Sequence, residues 1–142
     1  MIKIIKNGEI YSPKYLGQKD ILLVNNKISL ITNNIEASKF PVEVEIIDAK
    51  GDLVVTGFID SHVHIAGGGG EGGFRTRTPE INLSTLTSSG ITTVIGCLGT
   101  DGITRSSEDL LAKTRALNEE GITAYMYTGS YSFPVKTITG EI

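Results

Sequence analysis

Short apolar runs alternate with helix-like segments in the second half of the chain, and this alternation constrains the fold more than any other feature. Residues 52–60, 91–99 and 122–129 are nearly unbroken apolar runs, as is typical of strands buried on both faces. Residues 78–90 and 106–121 lie between these runs and carry helix-forming patterns. The order predicts parallel strands joined by right-handed crossovers, either in an open doubly wound sheet or in part of a closed barrel.

The two helices are predicted from their end signals. Over residues 78–90, Thr78 is placed as the N-cap, Pro79 at the first helical position and Glu80 in the first turn, with Gly90 after the last turn. The pattern over residues 106–121 is clearer. It combines an i,i+4 pair of opposite charges, an apolar stripe and a terminal glycine: Asp109 with Lys113, then Leu110, Leu111, Thr114 and Leu117, then Gly121.

Residues 1–55 are predicted to form antiparallel hairpins. They contain β-branched runs in which apolar and polar residues alternate, a pattern with the period of a strand. Dipeptides typical of turns separate the runs: Asn7-Gly8, Asn25-Asn26 and Lys50-Gly51.

Composition excludes several classes of function. A net charge of -3 gives no electrostatic basis for binding nucleic acid or an anionic membrane. No apolar run approaches the roughly 20 residues of a membrane span, and the first residues are too polar for a signal peptide. Cys97 is the single cysteine, so no internal disulfide can form. These features predict a cytoplasmic protein.

The only two histidines, His62 and His64, lie at the end of the first apolar run of the parallel part. Side chains alternate along a strand, so the two imidazoles share one face with Cα atoms about 6.6 Å apart. Asp60 has the same parity and is a candidate outer partner. The pair therefore predicts a metal site; the alternative is two partly exposed histidines with hydrogen bonds at a strand end. Because a catalytic zinc normally has three protein ligands, we expect the remaining ligands beyond Ile142.

Six glycines occupy residues 67–73, and Glu71 is the one charged residue among them. A phosphate-binding loop is one alternative, although the segment lacks the Lys-Ser/Thr ending of a P-loop. The other is a backbone that passes close to a substrate, where a Cβ atom would clash. Glu71 would then face a cationic group such as an α-amine, or it is a solvated loop charge.

Three stretches carry a resemblance to a known family: "GFIDSHVHIAGGGGEGGFRTRTPE", "TTVIGCLGTDGITRSSEDLLAKTRALNEEGITAYMYTGSY" and "TITG". They resemble the amino-terminal part of isoaspartyl (β-aspartyl) dipeptidases, which are metal-dependent members of the amidohydrolase superfamily. The resemblance spans nearly the whole chain and is strongest over residues 54–140.

The resemblance implies a fold and a metal centre. Residues 1–54 would supply the amino-terminal part of a small β-sandwich domain. Residues 55–142 would supply the first three β/α units of a (β/α)8 TIM-type barrel, so the chain is expected to be incomplete. His62 and His64 match the strand-1 ligands of one of two zinc ions, which a carboxylated lysine and a hydroxide bridge in the family.

The resemblance also implies a substrate site and an activity. Glu71 matches the carboxylate that holds the substrate's α-amino group, supported by Gly69 and Thr100. Tyr131 matches the loop tyrosine that polarises the scissile carbonyl, and its alternative is a surface aromatic. The full-length protein is expected to hydrolyse isoaspartyl dipeptides by a zinc-bridged hydroxide and to form a homo-oligomer, whereas residues 1–142 alone are expected to be inactive.

Two other functions stay open at this point. A cyclic amidase of the dihydroorotase or hydantoinase type shares the two histidines but gives no reason for Glu71 among glycines. A non-catalytic scaffold that has lost its metal would keep the fold, and the intact histidines argue against it.

Overall fold

Two units make up the chain in a computed structural model that describes residues 1–141. The first is Met1–Thr56 and the second is Gly57–Ile142. Sequence patterning places the boundary after residue 54, and the identities assigned to the two parts stay predictions. The strands are β1 (Ile2–Tyr11), β2 (Tyr15–Val24), β3 (Lys27–Thr32), β4 (Glu45–Asp48), β5 (Leu53–Val55), β6 (Phe58–Val63), β7 (Ile91–Gly96) and β8 (Thr123–Met126).

The first unit is one mixed sheet with the order β3-β2-β1-β4, and β5 also pairs with β1. β1, β2 and β3 are antiparallel neighbours, and Asn25 begins the β2–β3 turn with a φ of 55°. β4 and β5 run parallel to β1, so the expectation that this whole part is antiparallel is wrong. Apolar–polar alternation is the same in parallel and antiparallel strands, so it does not predict the direction of a strand. The long connection over residues 33–44 allows β4 to enter the sheet parallel to β1.

Asn7-Gly8 is not a hairpin turn but an irregularity within β1, where the pairing with β2 shifts register. Lys50-Gly51 is a turn between two strands that both pair with β1, and the Gly51 amide donates to the Asn7 carbonyl at 2.9 Å. The irregularity is anchored by Asp20, which is 2% exposed and accepts from the Asn7 amide at 3.0 Å.

Asp20 accepts two further hydrogen bonds, from the Ile35 amide at 2.8 Å and from the Lys6 ammonium. Burial alone raises the pKa of the Asp20 carboxyl, but these hydrogen bonds outweigh burial and hold its pKa below the ordinary value.

The second unit contains the parallel sheet β6-β7-β8, as the alternation predicts. Helices α1 (Leu83–Ser88) and α2 (Ser107–Glu119) connect its strands. This is a mixed α/β architecture; its assignment to the first units of a barrel stays a proposal. The buried core of the unit comprises Ile65, Ala66, Leu86, Val94, Leu110, Leu117, Ile122 and Ala124.

The apolar run 52–60 does not form one strand buried on both faces. Its first part is β5 in the first unit and its second part is β6 in the second unit. Phe58 and Ile59 are 62% and 69% exposed. Within the described residues β6 pairs only with β7, so one of its sides has no neighbouring strand.

Helix α2 confirms the predicted helix in the segment 106–121. The Ser106 side chain caps it by accepting from the Asp109 amide at 3.2 Å. The predicted ion pair between Asp109 and Lys113 is wrong, however, because Lys113 pairs with Glu80 at 3.3 Å. None of the helices in the described residues is long and apolar enough to cross a membrane.

Helix α1 is shorter than the sequence predicts. It begins at Leu83 after Asn82, so Thr78 is not its N-cap and Pro79 is not in its first turn. Thr78 instead makes two hydrogen bonds to Gly68, so its side chain is not available to cap a helix.

Candidate active site

The two histidines come together at the carboxyl end of β6. Their ring centroids are 5.6 Å apart and the ring planes are nearly perpendicular, at 86°. His62 is exposed and His64, just beyond the last strand residue, is half-buried. The shared face expected from the strand period therefore brings two imidazoles within reach of one ion.

Cys97 joins this pair, and the sequence patterns assign it no role. Val63 pairs with Gly96, so the next residues of the two strands, His64 and Cys97, become neighbours. The Cys97 sulfur lies 3.5 Å from His64 Nδ1, and candidate ligand atoms of His62, His64 and Cys97 all lie within 4.8 Å of one another. Burial, assisted by the negative charge of Asp60, raises the pKa of the Cys97 thiol.

The chemistry of these donors fits the metal that the sequence predicts. Zinc takes imidazole nitrogen and cysteine sulfur as ligands, and softer donors favour it over magnesium or calcium. Asp60, expected as an outer partner of the imidazoles, accepts instead from the backbone amide of His62 at 3.1 Å. Asp60 therefore fixes the main chain that carries the first histidine.

Residues 66–78 form a loop, the glycine loop, which closes on itself at Gly68 and Thr78. The Gly68 amide donates to the Thr78 hydroxyl at 2.8 Å, and the Thr78 amide donates to the Gly68 carbonyl at 2.9 Å. A Cβ atom at Gly68 would lie 3.0 Å from three carbon atoms of His64, and one at Gly99 would lie 3.5 Å from its ring. Of these two positions, Gly68 is therefore the one where a side chain would crowd His64.

The predicted substrate residues are only partly brought together. A groove of about 400 Å³ is lined by both His62 and Tyr131, and Tyr131 is 81% exposed. Glu71, Gly69 and Thr100 do not line it; Glu71 and Thr100 are exposed and Gly69 is half-buried with a φ of 75°. Another groove, of about 490 Å³, lies at the start of α2 and contains neither histidine.

Tyr127 is a further neighbour of the site that sequence patterns miss. Its ring centroid lies 6.4 Å from that of His62, and its hydroxyl donates to the Ser61 carbonyl at 3.0 Å. It follows β8, so its place after the third parallel strand is the signal that identifies it.

Arg105 also escapes the sequence patterns, although it lies within the quoted "LGTDGITR" stretch. It is 8% exposed and donates to three backbone carbonyls of the glycine loop. Asp101 lies 4.0 Å from this guanidinium and 3.3 Å from Arg77. Hydrogen bonds, first from the Thr104 side chain, hold the pKa of the Asp101 carboxyl below its ordinary value.

Comparison with known proteins shows that the chain is similar to part of several hydrolases. No protein-family model matches the chain. The chain is 39% identical over 93 residues to the dihydroorotase of Staphylococcus epidermidis, covering 66% of this chain and 21% of that protein. It is 36% identical over 118 residues to the dihydroorotase of Staphylococcus aureus, covering 83% and 26%. A D-hydantoinase structure is 30% identical with a TM-score of 0.59, covering 89% and 26%. These relatives are amidohydrolase-superfamily enzymes, which are generally metal-dependent.

Greater similarity is found to one particular enzyme of this class. The structure of β-aspartyl dipeptidase from the thermophilic, keratin-degrading Fervidobacterium islandicum AW-1 is 52% identical, with a TM-score of 0.90, and covers 99% of this chain and 38% of that chain. The structure of the same enzyme in complex with β-Asp-Leu is also 52% identical, with a TM-score of 0.89. The match covers 99% of this chain and 36% of that chain. The resemblance to the amino-terminal part of β-aspartyl dipeptidases is confirmed. The chain spans 21% to 38% of the length of these relatives.

Proposed function

We propose that the protein containing this chain is a zinc-dependent dipeptidase that hydrolyses the isopeptide bond of isoaspartyl dipeptides. The observation that carries the proposal is the similarity over 99% of the chain to an enzyme crystallised with β-Asp-Leu. The pair of imidazoles at the carboxyl end of a parallel strand supports it, because active sites of such sheets collect at that end.

His62 and His64 would hold the metal, and further ligands would come from residues beyond 142. A divalent metal supplies Lewis acidity, which makes amide hydrolysis feasible near neutral pH. The chain contributes the orientation of the His64 imidazole, which Gly68 restricts by packing against it. Asp60 contributes by fixing the backbone of His62.

Tyr131 and Glu71 would act on the substrate. Tyr131 shares a groove with His62, where its hydroxyl would donate a hydrogen bond to the scissile carbonyl as negative charge develops on that oxygen. Glu71 is an exposed carboxylate on a loop that packs on His64, and it would pair with the substrate's α-ammonium. Gly69 and Thr100 would border the same ammonium.

A cyclic amidase is the second candidate, because the dihydroorotases and the D-hydantoinase are also similar to this chain. Dihydroorotate and hydantoins carry no free α-ammonium, so a cyclic amidase would have no use for a pairing carboxylate at Glu71. Glu71 therefore separates the two functions.

The decisive experiment changes Glu71 to Gln in the full-length protein and measures kcat/KM for β-Asp-Leu and for its N-acetylated form. The substitution removes a charge-assisted hydrogen bond worth roughly 1.5–3 kcal/mol, or about tenfold to a hundredfold in kcat/KM. This loss should fall on the free-amine substrate alone. Glu119→Gln, at an exposed residue at the end of α2, is the matched control and should change neither value.

Two results would contradict the proposal. Equal losses on both substrates would mean that Glu71 only shapes the loop. Hydrolysis of dihydroorotate or a hydantoin by the unmodified protein, with none of β-Asp-Leu, would establish the cyclic amidase instead.

A further inference from the structure

The side chain of Arg105 donates three hydrogen bonds to the backbone of the glycine loop. Nε donates to the Ala66 carbonyl at 3.1 Å, Nη1 to the Gly68 carbonyl at 3.2 Å and Nη2 to the Thr78 carbonyl at 2.6 Å. These acceptors lie at the beginning and at the end of the loop. One buried guanidinium therefore connects the segment that enters the loop to the segment that leaves it.

The same place is where the loop closes on itself, through the two hydrogen bonds between Gly68 and Thr78. We call these two residues, with Ala66, the neck of the glycine loop. Gly67, Gly69 and other loop glycines have positive φ values, and glycine-rich backbone loses much conformational entropy when it is ordered. The loop contributes no residue between 67 and 77 to the buried core beyond glycine, so hydrogen bonds must order it. The neck contacts fix its two ends, and bonds such as that from the Gly70 amide to the Thr76 hydroxyl at 3.2 Å act within it.

An ion-pair network connects Arg105 to a second point of the loop. Asp101 lies 4.0 Å from the Arg105 guanidinium and 3.3 Å from Nε of Arg77, which belongs to the loop. The buried charge of Arg105 is thereby compensated, as a buried charge requires. A lysine could keep the charge, but its compact ammonium lacks the planar set of donors that reaches three separated carbonyls.

We propose that Arg105 is a positioning residue for recognition of the substrate's α-ammonium: by holding the neck, it places the Glu71 carboxylate. Glu71 lies three residues beyond Gly68, on the part of the loop that the neck encloses. The proposal rests on the proposed function, in which Glu71 pairs with that ammonium. It adds that the affinity of this pairing is set by an arginine that does not touch the substrate.

The test uses the full-length protein with Arg105→Lys, and with Thr78→Val as a second variant that removes one neck hydrogen bond without disturbing a charge. Arg115→Lys, at an exposed position on α2, is the matched control. The measurements are kcat and KM for β-Asp-Leu and for N-acetyl-β-Asp-Leu, together with the metal content of each variant. Because a displacement of about 1 Å can cost on the order of 10²-fold, we expect Arg105→Lys to lower kcat/KM for β-Asp-Leu by about tenfold to a hundredfold, chiefly through KM.

The N-acetylated substrate should lose little in the same variant, and metal content should stay at the wild-type value, because His62 lies in β6 and neither substitution adds an atom beside His64. Thr78→Val should reproduce the pattern with a smaller loss, so the proposal stays testable if Arg105→Lys does not fold. Equal losses on both substrates, or a loss of metal in parallel with activity, would overturn it in favour of a purely structural arginine. A wild type that prefers the free amine, with neck variants that keep the full preference, would overturn the role of Arg105 alone. A wild type that does not cleave β-Asp-Leu would overturn both proposals.

Discussion

Adding one methyl group at Gly68 should weaken metal binding without touching a metal ligand. In Gly68→Ala the new Cβ would lie 3.0 Å from Cβ, Cγ and Cδ2 of His64. Carbon atoms in optimal contact are about 3.5–4.0 Å apart, so His64 would have to move by a few tenths of an ångström to relieve the overlap. The backbone of Gly68 is not in the left-handed region, so the effect is steric and not a matter of backbone strain.

The size of the effect follows from how narrowly a metal site tolerates displacement. Ligand distances must stay within about 0.2 Å of their ideal values, which is less than the overlap. If the imidazole of His64 turns away, it leaves its preferred rotamer at a cost of about 0.5–1.5 kcal/mol. We therefore expect zinc affinity to fall by roughly threefold to tenfold.

The assay is a titration of the metal-free, full-length variants with zinc, followed by calorimetry. Gly99→Ala is the matched control, because its Cβ would lie 3.5 Å from the same imidazole, an ordinary contact, and should leave affinity close to that of the wild type. The free energy of unfolding of each variant shows whether a loss of zinc affinity comes from the site alone or from destabilisation of the whole fold. Wild-type affinity in Gly68→Ala, or equal losses in the two variants, would refute the argument that the bare backbone at Gly68 orients His64.

Three further changes test other parts of the chain. In the full-length protein, His62→Ala or His64→Ala should lower bound metal and activity together; full metal content by elemental analysis would show that the ligand assignment is wrong. Tyr131→Phe should keep the metal but lower kcat by on the order of 10²–10³, as for an oxyanion donor, and an unchanged kcat would leave Tyr131 a surface aromatic. Because the folded-state pKa of Asp20 lies below its unfolded value, its contribution to stability is present above about pH 4 and is lost as the pH falls through the folded pKa. Asp20→Asn should therefore lower the free energy of unfolding at pH 7 and reduce its dependence on acid, and urea unfolding at pH 7 and pH 3 would contradict this if both proteins lost stability equally.

The features that the sequence determined by itself depend on neighbours within a few residues. The strand period places His62 and His64 on one face, and the rings lie 5.6 Å apart. The apolar stripe and the glycine after the last turn define α2, because both signals lie within a few residues of each other along the chain. The alternation of strands and helices is sufficient to predict that β6, β7 and β8 run parallel.

The features that only the tertiary structure decided join residues far apart along the chain. Cys97 meets His64 across 33 positions, and Arg105 reaches Gly68 across 37, because the register of β6 on β7 and the path of two loops bring them together. Thr78 carries the signal of a helix cap, yet its hydroxyl accepts a hydrogen bond from the Gly68 amide, ten residues earlier in the chain. In the same way β4 and β5 run parallel to β1, although their alternation fits either direction. A local pattern fixes which face a side chain occupies, whereas its partner depends on the packing of the whole unit.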